Sequence, residues 1–217
     1  MQQIDVQGPV GRLEALLEGD PGARFAAVVC HPHPRFGGTL HNHATYRLAK
    51  AVRTAGGASL RFNYRGVGRS AGAYDGGRGE VEDTRAALAW LRASRPDVPL
   101  LACGFSFGAW MAARAGHADP AVRGLLLAGL ALRAADRDLV RDGADVRAIA
   151  KPLAVIQAAG DAFGAPAEVR AALADSAGPR RLATVPGATH LFTEALPALQ
   201  REAEAALAWL LAEVGAA

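Results

Sequence analysis

A serine stands between two phenylalanines in the stretch GFSFG, residues 104–108, which directly follows the apolar run VPLLAC. The spacing G-x-S-x-G is typical of a nucleophilic serine on a sharp turn between a strand and a helix. Gly104 and Gly108 are expected to be required, because side chains there would collide with the neighbouring strand and helix. The turn would place the Ser106 hydroxyl at a helix N-terminus, where free N–H groups favour developing negative charge. We interpret Ser106 as a nucleophile rather than as a polar residue in a glycine-rich joint.

A nucleophilic serine needs a base, and the base needs an acid to orient it. His190, in VPGATHLF, follows the last predicted strand, and Asp161, in IQAAGDAF, follows the strand before it. The carboxyl ends of parallel strands lie at one edge of a sheet, so both side chains are expected beside Ser106. Alone, Asp161 would be a turn or cap residue and His190 a loop histidine. Together, in the order serine, acid, histidine, they predict a catalytic triad unlike the chymotrypsin or subtilisin order.

An oxyanion formed during acyl transfer needs two N–H donors. The backbone N–H of Phe107, immediately after the nucleophile, is the first candidate. The second is expected from the loop HPHPRFGG after the run FAAVVC. Pro32 and Pro34 have no N–H, so His33 between them is the predicted donor, and the prolines would stiffen the loop.

Four histidines cluster within residues 31–43, and metal binding is the rival interpretation of this segment. We favour it less, because prolines interrupt the first pair and neither cysteine nor carboxylate lies nearby to complete a site. His31 is instead predicted to be a packed residue that supports the loop, and no metal is expected.

Strands alternate with helices after an opening hairpin that turns at residues 8–11, which predicts one α/β domain over residues 1–217. Its sheet is expected to be mostly parallel, with an N-terminal antiparallel hairpin and helices on both faces. After the hairpin, strands are predicted at 25–30, 58–63, 98–105, 122–129, 151–158 and 181–185, and helices at 42–55, 80–94, directly after Ser106, at 166–176 and at 193–214.

Composition limits the partners and the compartment. The net charge is +3, and the basic residues are scattered rather than clustered, so nucleic acid is not an expected partner. The N-terminal residues lack a signal-peptide pattern and no apolar run approaches the length of a membrane helix, so no membrane partner is expected. Cys30 and Cys103 close apolar runs and are predicted to be buried, reduced thiols of a cytoplasmic protein. Monomer and homodimer both stay open.

Several long segments together resemble one family. HPHPRFGGTLHNH, LRFNYRGVGRSAGAYDGGRGEVED, GFSFGAW and PGATHLF are similar to the hallmarks HPHPxxGG, RFNFRGVGxSxG, GFSFGA and SHFF of small bacterial α/β-hydrolases. These proteins are carboxylesterase-like and related to dienelactone hydrolases, and the resemblance runs from about residue 25 to the C-terminus. Two segments depart from the pattern: THLF replaces SHFF, and AAGDAFGAP replaces GxxDEIVxP, where Gly164 is expected to loosen the turn that carries Asp161.

The resemblance implies an α/β-hydrolase fold with a doubly wound sheet, and no cofactor. It assigns the same site residues as the spacing does: nucleophile Ser106, acid Asp161, base His190, and oxyanion donors His33 and Phe107.

The segment between the predicted strands that end at 129 and begin at 153 bears on the size of the substrate. It is short and mostly polar, unlike an apolar lid, so no large cap domain is expected. An open site with a modest acyl pocket lined by Phe36, Phe107 and Phe163 predicts a small-molecule, short-chain carboxylic ester, cleaved through an acyl-enzyme. Cleavage of a thioester, lactone or peptide stays open, as does a non-catalytic binding protein that retains the fold.

Three arginines flank the glycine-rich loop that follows the strand at 58–63. They could hold an anionic substrate, but packing, or pairing with Asp75 and Glu80, is the favoured interpretation. The arginines are Arg65, Arg69 and Arg78.

Overall fold

A computed structural model of the chain describes residues 1–133 and 143–215. The strands are β1 (Gln2–Gly8), β2 (Gly11–Glu18), β3 (Ala26–Cys30), β4 (Ala58–Phe62), β5 (Leu100–Phe105), β6 (Val122–Ala128), β7 (Leu153–Gly160) and β8 (Arg180–Thr189). The helices are α1 (His43–Thr54), α2 (Arg78–Ser94), α3 (Phe107–Ala118), α4 (Gly143–Arg147), α5 (Pro166–Ala172) and α6 (Leu196–Glu213), and a short 3-10 turn covers Pro34–Phe36.

The strands form one eight-stranded sheet in the order β1-β2-β4-β3-β5-β6-β7-β8. β1 and β2 form an antiparallel hairpin, and β2 also runs antiparallel to β4. Every other neighbouring pair, from β4–β3 to β7–β8, is parallel. The predicted mostly parallel sheet with an N-terminal antiparallel hairpin is therefore confirmed.

Helices cover both faces of the sheet, as predicted for a doubly wound fold. Consecutive residues of a strand point to opposite faces, and in fully buried β3 the side chains of Val28 and Val29 join different apolar clusters. The cluster that contains Val28 packs against α2 and α3, and the cluster that contains Val29 packs against α1 and α6.

Element boundaries differ from prediction where a turn or a cap intervenes. α2 begins at Arg78, because the Glu80 carboxylate accepts the N–H of Gly77 at 2.7 Å and so caps the helix earlier. α6 begins only at Leu196, because Phe192, at φ 56°, forms a turn that is incompatible with a helix. β8 is longer than predicted, and α5 shorter.

The chain reverses its winding direction between β3 and β5, which are neighbours in the sheet. β3 leads to β4 on one side, whereas β5 to β8 extend to the other side. At such a switch point the loops that leave the two strands diverge and open a crevice at the carboxyl edge of the sheet. In the described part of the chain, no helix has the length and apolar character needed to cross a bilayer.

Candidate active site

Ser106 occupies a strained turn between β5 and α3. Its backbone has φ 56° and ψ −116°, a conformation that costs a non-glycine residue roughly 1–3 kcal/mol. The turn is held because the N–H of Ser106 donates to the carbonyl of Ala128 at 2.9 Å. A Cβ at Gly104 would lie 2.1 Å from the carbonyl oxygen of Gly108, and a Cβ at Gly108 would lie 2.4 Å from that of Cys30. Both glycines are therefore required by close packing, as the sequence predicts.

The structure brings Ser106, His190 and Asp161 into one hydrogen-bond chain. Ser106 Oγ lies 2.8 Å from His190 Nε2, and His190 Nδ1 lies 2.8 Å from Asp161 Oδ2. A carboxylate only accepts, so Nδ1 carries the proton and Nε2 is left to accept from the serine hydroxyl. This arrangement can take the hydroxyl proton as the serine oxygen attacks an electrophile.

Asp161 is held by donors on three sides. Its Oδ1 accepts from the N–H of Phe163 at 2.9 Å, and its Oδ2 accepts from Nε2 of Gln157 at 2.9 Å as well as from His190. Gln157 is fully buried on β7 and also donates to the carbonyl of Gly164 at 2.6 Å. Sequence reasoning missed Gln157. The signal was present, because it is the single polar residue in the apolar strand LAVIQA.

The expectation that Gly164 loosens this turn is not met. A Cβ at Gly164 would lie 2.7 Å from the carbonyl oxygen of Leu130, so the glycine allows a close approach between two loops. Its own carbonyl is bound by Gln157. This glycine, which departs from the family pattern, therefore lets the turn that carries Asp161 pack closely against the loop at Leu130.

Rings and a carboxylate surround the loop that carries His190. The ring centroid of Phe163 lies 4.7 Å from that of His190, and the centroid of Phe105 lies 5.7 Å from it. Phe105, the last residue of β5, is fully buried in the core. The Glu194 carboxylate accepts hydrogen bonds from its own backbone N–H and from the N–H of Thr189. These hydrogen bonds, of which the one from its own backbone has the largest effect, lower the pKa of Glu194 to about 2.

His31 is fully buried and supports the loop after β3. Its Nδ1 lies 2.6 Å from the carbonyl oxygen of Pro32, and its Nε2 lies 3.2 Å from the backbone nitrogen of Tyr64. The carbonyl only accepts and the N–H only donates, so the imidazole is the neutral Nδ1–H tautomer. Burial lowers the pKa of His31 to about 3. The predicted supporting role of His31 agrees with these contacts.

The contact between His31 and Pro32 also orients the next peptide. A trans peptide is planar, so its carbonyl and its N–H point in opposite directions. With the Pro32 carbonyl held by His31, the N–H of His33 is fixed on the other side of the peptide. The His33 ring is held as well: its Nδ1 accepts from the N–H of Arg35 at 3.1 Å, and its Nε2 lies 3.1 Å from the hydroxyl of Tyr74.

Phe107 is the first residue of α3, so its N–H has no acceptor within the helix. Its side chain differs from prediction. The Phe107 ring is fully buried, with its centroid 4.7 Å from that of His33 and 5.7 Å from that of Tyr64. The prediction that this ring lines the acyl pocket is wrong, because it packs beneath the His33 loop.

A cavity of about 480 Å³ opens beside Ser106. Phe36 and Phe163 line it, as predicted, and Leu191 lies at its rim without having been predicted. Phe36 and Leu191 are 65% and 58% exposed, so the mouth of the cavity is open and apolar. The described lining consists of Pro32, His33, Phe36, Gly37, Gly38, Asn42, Ser106, Ala131, Phe163, His190 and Leu191.

The arginines of the glycine-rich loop are packed or paired, as predicted, but mostly with other partners: Arg65 is buried. Nε and Nη2 of Arg65 contact both carboxylate oxygens of Asp83, at 3.0 and 2.7 Å. Arg69 pairs with Glu14 at 2.9 Å. Only Arg78 has a predicted partner, Asp75, at 3.2 Å. Glu80 caps α2 instead: its carboxylate accepts the N–H groups of Asp75 and Gly77, and Arg65 lies near enough to attract it electrostatically.

The remaining reactive side chains are separated from one another. His41 and His43 are exposed, while His31 has both ring nitrogens engaged. Within residues 1–133 and 143–215, no three His, Cys, Asp or Glu side chains are close enough to hold a metal ion. Cys30 and Cys103 are buried free thiols, as predicted, and burial raises the pKa of Cys30 to about 11.

Comparison with known proteins agrees with this geometry. The family model described as serine aminopeptidase, S33, matches residues 25–145, which is more than half of the chain. An α/β serine hydrolase homologue from Coxiella burnetii is 32% identical, with a TM-score of 0.85, over 95% of this chain and 97% of that one. The chain belongs to the α/β serine hydrolases. The resemblance carried by the sequence motifs is thereby confirmed, and so is the α/β-hydrolase fold.

Two further proteins are similar to this α/β serine hydrolase. A lidless α/β serine hydrolase from Xanthomonas campestris is 31% identical over 96% of this chain and 94% of that one, with a TM-score of 0.81. An uncharacterised protein from Rickettsia prowazekii is 44% identical over 115 residues, which are 52% of this chain and only 48%, about half, of that protein.

No large cap domain is present in the described fold, in agreement with the lidless relative. The segment between β6 and β7, predicted to be polar and unlike a lid, contains the short helix α4. Residues 134–142 of that segment lie outside the described part of the chain.

Proposed function

We propose that this α/β serine hydrolase cleaves small, short-chain carboxylic esters through an acyl-enzyme. The observation that carries the proposal is the hydrogen-bond chain from Ser106 through His190 to Asp161, with the serine lining a mainly apolar cavity. A strained serine whose hydroxyl meets an unprotonated imidazole nitrogen suits acyl transfer.

The contacts among Ser106, His190 and Asp161 define the steps of acylation. Ser106 Oγ attacks the acyl carbon while its proton passes to His190 Nε2, and Asp161 stabilises the resulting imidazolium. The N–H groups of His33 and Phe107 donate to the oxyanion, each contributing on the order of 3 kcal/mol to transition-state stabilisation. The tetrahedral intermediate then collapses, the bond between acyl carbon and alcohol oxygen breaks, and His190 gives its proton to the leaving alcohol.

Deacylation repeats these steps with water. His190 Nε2 takes a proton from a water molecule as its oxygen attacks the acyl carbon of the Ser106 ester. Collapse of the second tetrahedral intermediate releases the carboxylic acid and returns the proton to Ser106 Oγ.

The cavity supports a small and uncharged acyl group. Its volume of about 480 Å³ lies in the lower half of the range of roughly 300–1,000 Å³ for small-molecule sites. Phe36, Phe163 and Leu191 supply apolar surface, and no Lys, Arg, Asp or Glu belongs to the described lining. An ionised group would enter such a site without a partner, at a considerable cost in free energy.

Peptide hydrolysis is the second candidate, because the matching family model is described as a serine aminopeptidase. An aminopeptidase must bind the ammonium group of its substrate, and a carboxylate is the usual partner for such a cation. The lining as described contains no carboxylate, which favours the ester. A thioester or a lactone uses the same acyl chemistry and stays an alternative.

The test is a fluorophosphonate probe followed by a substrate panel. We expect the probe to label wild-type protein and not Ser106→Ala, and p-nitrophenyl acetate turnover to be lost in that variant while its circular dichroism stays unchanged. Esters, thioesters, lactones and aminoacyl amides are then ranked by kcat/KM. Wild-type-like turnover by Ser106→Ala would refute the nucleophile, and a preference for aminoacyl amides would favour the peptidase.

A further inference from the structure

Asn42 borders the cavity at the N-terminus of α1. The other polar side chains of the described lining already have partners. Ser106 and His190 bind each other, and both ring nitrogens of His33 are within hydrogen-bond distance of a neighbour. Asn42 is different, because the oxygen of its side-chain amide is hydrogen-bonded within α1 whereas the nitrogen is not.

The helix fixes the orientation of the Asn42 amide. One amide atom lies 3.1 Å from the backbone nitrogen of Thr45 and 3.3 Å from the hydroxyl oxygen of the same residue. A backbone N–H can only donate, so the atom that faces α1 is the carbonyl oxygen Oδ1. The amide nitrogen Nδ2 therefore faces away from the helix. No acceptor lies within hydrogen-bond distance of Nδ2 among the described residues, and Asn42 is partly exposed.

We propose that Nδ2 of Asn42 donates a hydrogen bond to a second oxygen of the substrate. The preferred substrates of the site are then short esters that carry a neutral hydroxy, oxo or ether oxygen in addition to the scissile group. A neutral oxygen fits better than a carboxylate, because the described lining offers no cation to compensate a negative charge. This inference rests on the proposed esterase function and adds a substrate class to it.

The capping role of Asn42 and the proposed binding role can be separated by substitution. Serine and aspartate both cap a helix well, so Asn42→Ser and Asn42→Asp keep the acceptor for the N–H of Thr45. Both substitutions remove the amide donor. Asn42→Ala removes the cap and the donor together, and its melting temperature reports how much of any effect comes from the loss of the cap.

The experiment compares matched esters that differ by one oxygen. Ethyl butanoate is paired with ethyl 3-hydroxybutanoate to test the acyl side, and butyl acetate with 2-methoxyethyl acetate to test the alcohol side, with acid release followed in a pH-stat. We expect wild-type protein to prefer the oxygenated ester in at least one pair. The ratio of the two kcat/KM values should fall about tenfold in Asn42→Ser, as for the loss of one hydrogen bond. In the ether pair it should fall further in Asn42→Asp, because a carboxylate repels an ether oxygen, whereas a substrate hydroxyl could donate to that carboxylate.

The outcomes distinguish this inference from the esterase proposal. If all four esters are hydrolysed but the ratios in wild type and variants are equal, Asn42 is a helix cap only and the inference is overturned. If the ratio falls in Asn42→Ala but not in Asn42→Ser, the effect comes from the cap and the inference is again overturned. If none of the esters is hydrolysed and fluorophosphonate does not label Ser106, the proposed function fails and the inference fails with it.

Discussion

Nδ1 of His31 donates to the carbonyl of Pro32 at 2.6 Å, and this one contact sets the direction of the following N–H group. The N–H belongs to His33, the proposed oxyanion donor. A buried side chain thus controls the orientation of a backbone group for which we propose a role in the reaction.

Two amide substitutions at position 31 separate orientation from packing. In His31→Asn the amide nitrogen lies near the place of Nδ1 and can still donate to Pro32, whereas in His31→Gln the amide reaches the place of Nε2 and meets the N–H of Tyr64. We expect kcat with p-nitrophenyl acetate to fall about 10²-fold in His31→Gln and less than about tenfold in His31→Asn, because loss of one oxyanion donor costs about this much. Equal losses in both variants would assign His31 to packing alone.

The depressed pKa of His31 predicts a pH-dependent stability. Burial lowers its pKa to about 3 in the folded protein, against about 6.5 in an unfolded chain. The unfolded state therefore binds the extra proton first as the pH falls. Stability is full above about pH 6.5 and decreases between there and pH 3, by about 2 kcal/mol at pH 5. Urea unfolding at pH 7 and pH 5 measures the loss, and His31→Asn, which lacks this group, should lose correspondingly less over the same interval.

Gln157 is expected to position Asp161. Gln157→Met keeps the volume and removes the donor, and it should lower kcat about tenfold, because one hydrogen bond to a carboxylate is lost. Gln157→Glu has a nearly identical shape but places a like charge beside Asp161, and a larger fall is expected. Steady-state kinetics with thermal unfolding as the control measure both changes. Unchanged kcat in the two variants would mean that Gln157 only fills space.

Asp161 itself is tested by Asp161→Asn. The amide cannot hold the required tautomer of His190, so kcat is expected to fall on the order of 10⁴-fold with little change in KM. A mild effect would mean that another residue acts as the acid. The rate of fluorophosphonate labelling of Ser106 gives a second measure of the loss of activity.

Gly164 should not tolerate a side chain. In Gly164→Ala the new methyl group would meet the carbonyl oxygen of Leu130, 2.7 Å from the ideal Cβ position. We expect about 1–3 kcal/mol of destabilisation, as for other overpacked sites, together with reduced kcat because the Asp161 turn shifts. Chemical denaturation tests the first effect. Gly22→Ala is the comparison: like Gly164, that glycine does not have a positive φ, and the nearest atom to a Cβ there is the side-chain oxygen Oδ1 of Asp20, at 3.3 Å.

The positions of the main site residues could be predicted because each follows an apolar run that ends at the same edge of the sheet. Ser106, Asp161 and His190 need no more than strand order to be placed together. Gln157 was missed because its role depends on which face of β7 it occupies and on the loops above it. The partners of Arg65 and Arg69 were mispredicted for a similar reason, since Asp83 and Glu14 lie on elements that only folding brings near.

The Phe107 ring shows a second limit of the sequence. Its backbone position beside Ser106 follows from the motif, but the direction of its side chain depends on tertiary packing. In the structure His33 and Tyr64 enclose the ring. An aromatic residue next to a nucleophile is therefore no evidence by itself for a substrate-binding surface.

The position of His190, directly after the last strand of the sheet, has a consequence for folding during synthesis. Ser106 leaves the ribosome long before His190, which is carried by the loop after the last strand of the sheet. Domains begin to fold during synthesis from the N-terminal side. A nascent chain that has completed β5, α3 and β6 has the elements that hold the turn of Ser106, but it has no base to activate the serine. The proposed esterase would thus be inactive during synthesis, and Ser106 would become reactive only when the C-terminal strand has joined the sheet.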